Sequence, residues 1–245
     1  MDMTQLVCLS QQLADYQSMD AIANNLANVS TPGYKRETPL FQEYVEQFAP
    51  AEGETGQQAV SFVQQMGSFR DLSEGHFDLT GAPFDVALNG QGYFVIQTAN
   101  GPLYTRNGHF TLDGSGRIVN DNGDPVQGTG GDISVSANDG DIHIASDGTV
   151  SGTNGQIGQL NIVDFPNDRA LVKEGDSLYS TTQAPQSAAD ATVQQGAVEV
   201  ANVRPVIEIS NMIEVMRSYQ STMNMTQTLS DLQRQTIDKL ATTQS

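Results

Sequence analysis

The chain has 245 residues, enough for one sizeable hydrophobic core or two modest ones. It carries 29 acidic and 11 basic residues, a formal net charge of −18, so its surface should repel nucleic-acid phosphates and anionic lipid headgroups. With Cys8 as its single cysteine it cannot form an internal disulfide or a thiolate metal cluster. It also lacks the run of about 18 apolar residues that would predict membrane insertion.

A first long helix is predicted from Met3 to about Val29, within an N-terminal segment 1–33. Pro32-Gly33 is expected to end it. The stretch lacks the positive start and uninterrupted apolar run of a secretory signal peptide, which taken alone predicts a cytoplasmic protein. Its apolar residues recur in steps of three and four and so form one stripe; they are Leu6, Leu9, Leu13, Tyr16, Met19, Ile22, Leu26 and Val29.

The stretch 34–79 is predicted to be an extended linker or clasp. The apolar residues between Phe41 and Phe48 favour a short helix or a clasp, and the polar, glycine-bearing segment 50–58 favours a loop.

A β-rich outer domain is predicted from residue 80 to residue 198, where short β-type runs alternate with glycine turns. Eight Asn-Gly or Asp-Gly pairs, between Asn89 and Gly155, supply residues that tolerate the left-handed conformations of tight hairpins. The candidate strands are Phe84–Leu88, Tyr93–Thr98, Gly116–Val119, Ile133–Val135, Ile142–Ile144 and Leu160–Phe165.

A second long helix is predicted within the C-terminal segment 199–245, with Pro205 in its first turn. Neither helix buries enough apolar surface to be stable alone, so we expect the two to pair with each other and then with neighbouring subunits. The predicted fold class is α+β, mainly β: long N- and C-terminal helices forming a coiled-coil layer, with a central all-β domain. The apolar residues of the second helix include Val206, Ile209, Met212, Ile213, Met216, Tyr219 and Met223.

No pattern in the sequence predicts catalysis, a cofactor or a metal. The acidic turns 121–124 and 139–141 lack the spacing of an EF-hand loop. The Gly-x-Ser-x-Gly nucleophile motif is absent, and Gly90-Gln91-Gly92 lacks the third glycine and the helix of a dinucleotide site. We therefore expect a protein that is not an enzyme.

One segment, 23–35, reads Ala-Asn-Asn-Leu-Ala-Asn-Val-Ser-Thr-Pro-Gly-Tyr-Lys and places three asparagines in an amphipathic helix, where they are locally unfavourable. It strongly resembles the signature of flagellar basal-body rod and hook proteins. The segments 81–94 and 104–110 resemble the entry to the β domain of that family and its next hairpin. The segments 196–203 and 212–219 resemble its carboxy-terminal helix signature.

The resemblance implies a structural subunit without known catalysis, exported by the flagellar type III apparatus and stacked into the rod that crosses the periplasm and transmits motor torque. That location overrides the cytoplasmic expectation. The implied partners are further copies of the chain, other rod proteins and the export apparatus, with no nucleic acid and no membrane insertion. Within the family, 128–135 and 144–151 favour a proximal-rod member, with a distal-rod or hook-type axial protein as the alternative.

Assembly is expected to depend on the two helices and on the turn after the first. The alternative from another functional class is a soluble carbohydrate-binding β domain. The small number of aromatic residues suited to an exposed sugar-binding surface, and the absence of tryptophan, argue against it. The expected assembly contacts are Leu6, Leu13, Ile22, Asn24, Asn25, Leu26, Asn28, Pro32, Gly33, Ile209, Met212, Ile213, Met216, Tyr219 and Met223.

Overall fold

The structure, a computed structural model, describes residues 3–48, 58–188 and 190–243. Helix α1 (Met3–Ala27) begins the chain and helix α2 (Pro205–Thr243) ends it, with short 3-10 turns at Ala137–Asp139 and Asp168–Ala170. The predicted α+β, mainly β class is confirmed. The strands are β1 (Glu37–Phe48), β2 (Gln58–Arg70), β3 (Phe77–Leu79), β4 (Val86–Asn89), β5 (Tyr93–Thr98), β6 (Gly101–Thr105), β7 (Thr111–Leu112), β8 (Ile118–Val119), β9 (Gln127–Gly128), β10 (Gly131–Asp132), β11 (His143–Ile144), β12 (Thr149–Gly152), β13 (Gly155–Gln159), β14 (Ile162–Asp164), β15 (Val172–Gly175), β16 (Leu178–Ser180), β17 (Gln186–Ser187), β18 (Thr192–Gln195) and β19 (Ala197–Glu199).

The chain folds into two compact units. The helical unit contains α1, β1, β2 and α2, while the β unit contains residues 28–36 and 71–203. Because the segment 28–36 belongs to the β unit, the chain passes between the two units four times.

In the helical unit, β1 and β2 form a long antiparallel hairpin, with a bulge between Leu40 and Phe41. The alternative of a short helix in this stretch is therefore wrong, because its apolar residues serve cross-strand pairs such as Tyr44 with Phe62. Helix α1 packs against both strands. The predicted loop 50–58 lies outside the described residues, apart from Gln58 at the start of β2.

The β unit is built from short antiparallel ladders. The largest sheet has six strands in the order β15-β16-β6-β5-β14-β17, and a three-stranded sheet has the order β11-β12-β13. The pairs β18-β4, β19-β3, β7-β8 and β10-β9 complete it among the described residues. The predicted strand Ile133–Val135 is not part of a ladder strand, although both of its apolar ends are buried.

Two clusters of buried side chains form the core of the β unit. The larger is centred on Val86, Leu88, Phe94 and Ile96 and extends to residues of the later hairpins. The smaller contains three tyrosines and Phe165, whose ring lies edge-on to Tyr104 at 4.7 Å between centroids. At about 2 kcal/mol for each fully buried large apolar side chain, these clusters give the β unit a core of its own.

Candidate assembly surfaces

The two long helices lie antiparallel in the helical unit. The side-chain amide of Gln5 donates a hydrogen bond to Gln233 at 3.1 Å, and that of Gln12 donates to Thr226 at 3.4 Å. The two residue numbers of each pair add to 238, so both pairs define the same antiparallel register. In this register α1, from Met3 to Ala27, faces residues 211–235 of α2.

Helix α2 has two different apolar sides. Tyr219 and Met212 lie seven and fourteen residues before Thr226, so they share its α1-facing side, where both are half-buried. The second side is exposed, and its residues follow in steps of four, three and seven. They are Ile209 (48% exposed), Ile213 (46%), Met216 (53%) and Met223 (50%).

Helix α1 has a matching exposed stripe, formed by Leu9, Leu13 and Tyr16 in steps of four and three. Leu9 and Met223 line one groove of about 410 Å³ between the helices, together with polar side chains of both. The two exposed stripes therefore lie on the same side of the helix pair. We call this surface the apolar helix face; it comprises Leu9, Leu13, Tyr16, Ile209, Ile213, Met216 and Met223.

The other predicted contacts on the helices are less accessible. Ile22 is buried within the chain, and Leu6 and Leu26 are half-buried. Asn24 is exposed. Their role in contacts with a sister molecule stays a prediction. Leu9 and Tyr16, which lie in the predicted stripe but were not among the expected contacts, join the exposed surface.

Asn25 ties α1 to the hairpin. Its amide nitrogen donates to the backbone oxygen of Glu37 at 2.8 Å, and its amide oxygen accepts from the backbone N–H of Glu37 at 2.9 Å. The side chain thus imitates a paired strand at the start of β1. These two hydrogen bonds explain why an asparagine lies in the helix, although the helix propensity of asparagine is poor.

The segment 28–36 turns sharply in the β unit. The backbone N–H of Thr31 donates to the carbonyl of Asn28 at 3.1 Å, and its hydroxyl donates to the Asn28 side chain at 3.3 Å. Half-buried Pro32 follows. Gly33 has φ +68°, and a Cβ there would lie 2.4 Å from the carbonyl carbon of Arg106. Only glycine fits this close approach without rearrangement. These contacts support the predicted turn.

Lys35 anchors this segment in the β unit. Its ammonium lies 2.7 Å from Oε1 of Glu199 and donates to the carbonyl of Ser73 at 2.8 Å; the lysine and glutamate side chains are 3% and 1% exposed. Glu199 also accepts from the backbone N–H of Gly75 at 2.9 Å, and its Oε2 lies 3.6 Å from Arg106. Burial lowers the pKa of Lys35, and the negative charge of Glu199 opposes that shift. We call Lys35, Glu199 and Arg106 the buried clamp.

Asn202 extends this anchorage. Its side-chain oxygen accepts from the backbone N–H of Arg36 at 2.7 Å, and its amide nitrogen donates to the carbonyls of Asp71 and Ser73, each at 2.9 Å. Sequence reasoning assigned no role to Arg106, Glu199 or Asn202. The only available signal was their place in the segments 104–110 and 196–203, which carry the family resemblance.

Three family models match the chain in separate stretches. The "Flagella basal body rod protein" model matches residues 11–35, and the "Flagellar hook protein FlgE/F/G D1 domain" model matches 87–152. The "Flagellar basal body rod FlgEFG protein C-terminal" model matches 194–239. The matches to residues 11–35 and 194–239 cover most of the two long helices, and the match to residues 87–152 lies in the β unit.

Similarity to whole relatives is decisive. The flagellar basal-body rod protein FlgF of Caulobacter vibrioides is 36% identical over 243 residues, covering 98% of this chain and 98% of the relative. This chain belongs to the flagellar basal-body rod protein family. FlgG of Buchnera aphidicola is 35% identical, and FlgG of Bacillus subtilis is 32% identical; each similarity covers 83% of this chain and 86% of the relative. The chain is therefore a structural subunit of the flagellar basal body.

Within the described residues, the two helices are too short of apolar residues for either to cross a membrane. In the same part of the chain, histidine, cysteine, aspartate and glutamate side chains do not come together in groups of three or more that could hold a metal ion.

Proposed function

We propose that this rod-family subunit polymerises through its apolar helix face, which packs against the helices of sister copies to form a coiled-coil layer. In the polymer the β unit would be the outer domain. The observation that carries the proposal is the exposure of seven large apolar side chains on one side of the helix pair. A monomeric soluble protein rarely exposes such a continuous patch, which instead marks an interface.

The spacing on this face supports helical packing. Positions 9, 13, 16, 20 and 23 of α1 and positions 209, 213, 216, 220 and 223 of α2 are all exposed and follow the same alternation of four and three residues. That alternation is the seam of a coiled coil, in which side chains of one helix insert between those of the next. The groove beside Leu9 and Met223 would receive such a side chain.

We infer a place in the proximal rod. The similarity to FlgF of Caulobacter vibrioides covers nearly the full length of both chains, whereas the similarities to the FlgG proteins named above leave part of each chain unmatched. We also infer that the chain acts without catalysis, assembles with other rod proteins and reaches the rod through the flagellar export apparatus.

The test is replacement of Ile213 by aspartate. Because Ile213 is already 46% exposed, Ile213→Asp should change the free energy of unfolding of the isolated chain by less than about 1 kcal/mol. It should abolish incorporation into basal bodies and swimming, since a carboxylate would be buried between helices.

Met225→Asp is the matched control. Met225 lies on the same helix and is 53% exposed, but it falls outside the apolar helix face. It should retain incorporation and swimming. Normal motility of the Ile213→Asp strain would contradict the proposal, as would equal loss of motility in both strains.

A further inference from the structure

Four chain crossings form the covalent path between the β unit and the helical unit. They lie at residues 27–28, 36–37, 70–71 and 203–204. When a rod subunit passes torque from one unit to the other along the chain, these crossings are the segments that are loaded. The contacts that hold them in the folded protein therefore decide how the subunit responds to force.

A small apolar cluster lies beside three of the crossings and belongs to the β unit. It consists of Tyr34, Ala201 and Val203, which are 1%, 4% and 6% exposed, with Val29 packed against them. Val29 follows the first crossing, Tyr34 precedes the second and Val203 precedes the fourth. The cluster is separate from the two larger clusters that form the core of the β unit. Its burial therefore joins the crossings rather than the sheets.

Asn202 joins the third crossing to the others. This side chain links the carbonyls of Asp71 and Ser73, each at 2.9 Å, to the backbone N–H of Arg36 at 2.7 Å. The backbone N–H of Asp71 also donates to the carbonyl of Arg36 at 2.9 Å. Residues that border the second, third and fourth crossings are thus held by one side chain. We define the crossing junction as Val29, Tyr34, Arg36, Asp71, Asn202 and Val203.

Joined crossings respond to force differently from separate ones. A crossing held by its own contacts alone can peel away one bond at a time, whereas joined crossings must break several bonds in one step. Forced unfolding is governed by the unfolding rate, so contacts that break together slow it most.

We propose that the crossing junction is a mechanical lock, in which Asn202 makes the four crossings yield together and so keeps the β unit folded while the rod transmits torque. The lock goes beyond the proposed function, because polymerisation through the apolar helix face does not require it. Removal of the Asn202 side chain should raise the unfolding rate of the β unit under a fixed force about ten- to hundredfold.

The test compares Asn202→Ala with a variant of matched stability outside the crossing junction. Thr105 suits the comparison, because its buried hydroxyl donates to the carbonyl of Ser177 at 2.8 Å and accepts from the backbone N–H of Asn107 at 3.0 Å. Thr105→Val removes both bonds. Urea unfolding of the full chains matches the two variants, and Thr105→Ala replaces Thr105→Val if the latter loses less stability than Asn202→Ala.

The readout is the retention of flagella at low and high load. Both variants should enter basal bodies, and both strains should swim like the parent in dilute medium. In medium thickened with methylcellulose, the Asn202→Ala strain should lose flagella severalfold faster than the parent, and electron micrographs should show broken rods. The Thr105 strain should keep its flagella at both viscosities.

The other outcomes overturn the lock. Equal loss of flagella by the two variants would show that stability alone matters, and retention of flagella by Asn202→Ala at both viscosities would show that Asn202 carries no load. If Asn202→Ala does not enter basal bodies, Asn202→Gln, which retains an amide on a longer side chain, takes its place. Exclusion of both would assign Asn202 to folding or assembly instead. None of these results bears on the apolar helix face, which the Ile213→Asp strain tests separately.

Discussion

Replacing Glu199 by leucine should destabilise the β unit strongly. Glu199 is 1% exposed and is the acceptor for the Lys35 ammonium at 2.7 Å and for the N–H of Gly75 at 2.9 Å. Its loss leaves the Lys35 charge buried beside Arg106, with a hydrogen bond of 2.8 Å to the Ser73 carbonyl. Removing one member of a buried ion pair costs about 3–5 kcal/mol, a large part of the roughly 5–15 kcal/mol that stabilises a typical protein.

The double variant Lys35→Met/Glu199→Leu separates the charge from the packing. With both charges replaced by apolar groups of similar size, the Lys35–Glu199 pair itself should be close to neutral. Arg106 loses its contact with Glu199 but keeps its hydrogen bonds to the carbonyls of Leu88 at 3.4 Å and Gly90 at 2.7 Å. The Gly75 N–H still loses its acceptor, which costs about 1–3 kcal/mol. We therefore expect the double variant to lose about 1–3 kcal/mol, far less than the sum of the two single variants.

The assay is urea unfolding of the full chain, followed by the near-ultraviolet circular dichroism of tyrosine. This signal reports the β unit, because Tyr34, Tyr93, Tyr104 and Tyr179 are buried there. Glu174→Gln, which alters an exposed carboxylate on β15, should change the free energy of unfolding by less than about 0.5 kcal/mol. Losses below about 1 kcal/mol in both single variants, or additive losses in the double variant, would refute the role of the buried clamp.

Three further variants or conditions test single contacts. Asn25→Ala should cost about 1–3 kcal/mol, because it removes both bonds to the Glu37 backbone, and hydrogen exchange should show faster exchange of the Glu37 amide. Gly33→Ala should cost at least about 2 kcal/mol in urea unfolding, because φ is +68° and the new Cβ would lie 2.4 Å from a backbone carbon. The pKa of Asp113 is lowered below 3.8, chiefly by the hydrogen bond from the backbone N–H of Arg117. The stabilising contribution of ionised Asp113 should therefore be fully present above pH 3.8 and be lost as acidification protonates the folded chain. Asp113→Asn should make this acid-induced loss of stability smaller.

The long helices and the β hairpins could be read from sequence because each signal is local. Steps of three and four residues predicted the first helix from Met3 to about Val29, and α1 runs from Met3 to Ala27; Pro205, predicted in the first turn of the second helix, begins α2. Of the eight glycines that follow Asn or Asp, six have positive φ, among them Gly90 and Gly123. The backbone conformation of a tight turn depends on two or three neighbouring residues, so the sequence pattern is sufficient there.

The hairpin of β1 and β2 was missed because its pattern is not simply alternating. Apolar residues such as Tyr44 and Val45 lie on opposite faces, and the bulge at Leu40 and Phe41 shifts the alternation by one residue. Spacings of three and four residues between aromatic side chains then imitate a helix. The β-branched and aromatic residues Val60, Phe62 and Val63 were the better signal for a strand.

Only the structure shows which of the predicted assembly residues face α1 and which remain exposed. A helical stripe shows which residues share a side, but the register of α1 against α2 decides that Met212 and Tyr219 face α1 while Ile213 and Met216 remain exposed. The buried clamp lies further beyond sequence reasoning, because Lys35 and Glu199 are 164 residues apart. Pairings over that separation depend on the tertiary fold.

Methionine oxidation measures the central claim directly, without substitution. Met216 and Met223 lie on the apolar helix face and are 53% and 50% exposed in the single chain. If this face joins sister copies, both should be oxidised readily in the purified chain and be strongly protected in intact basal bodies. Equal oxidation rates of Met216 and Met223 in the free chain and in the assembled rod would show that the apolar helix face is not the polymer interface.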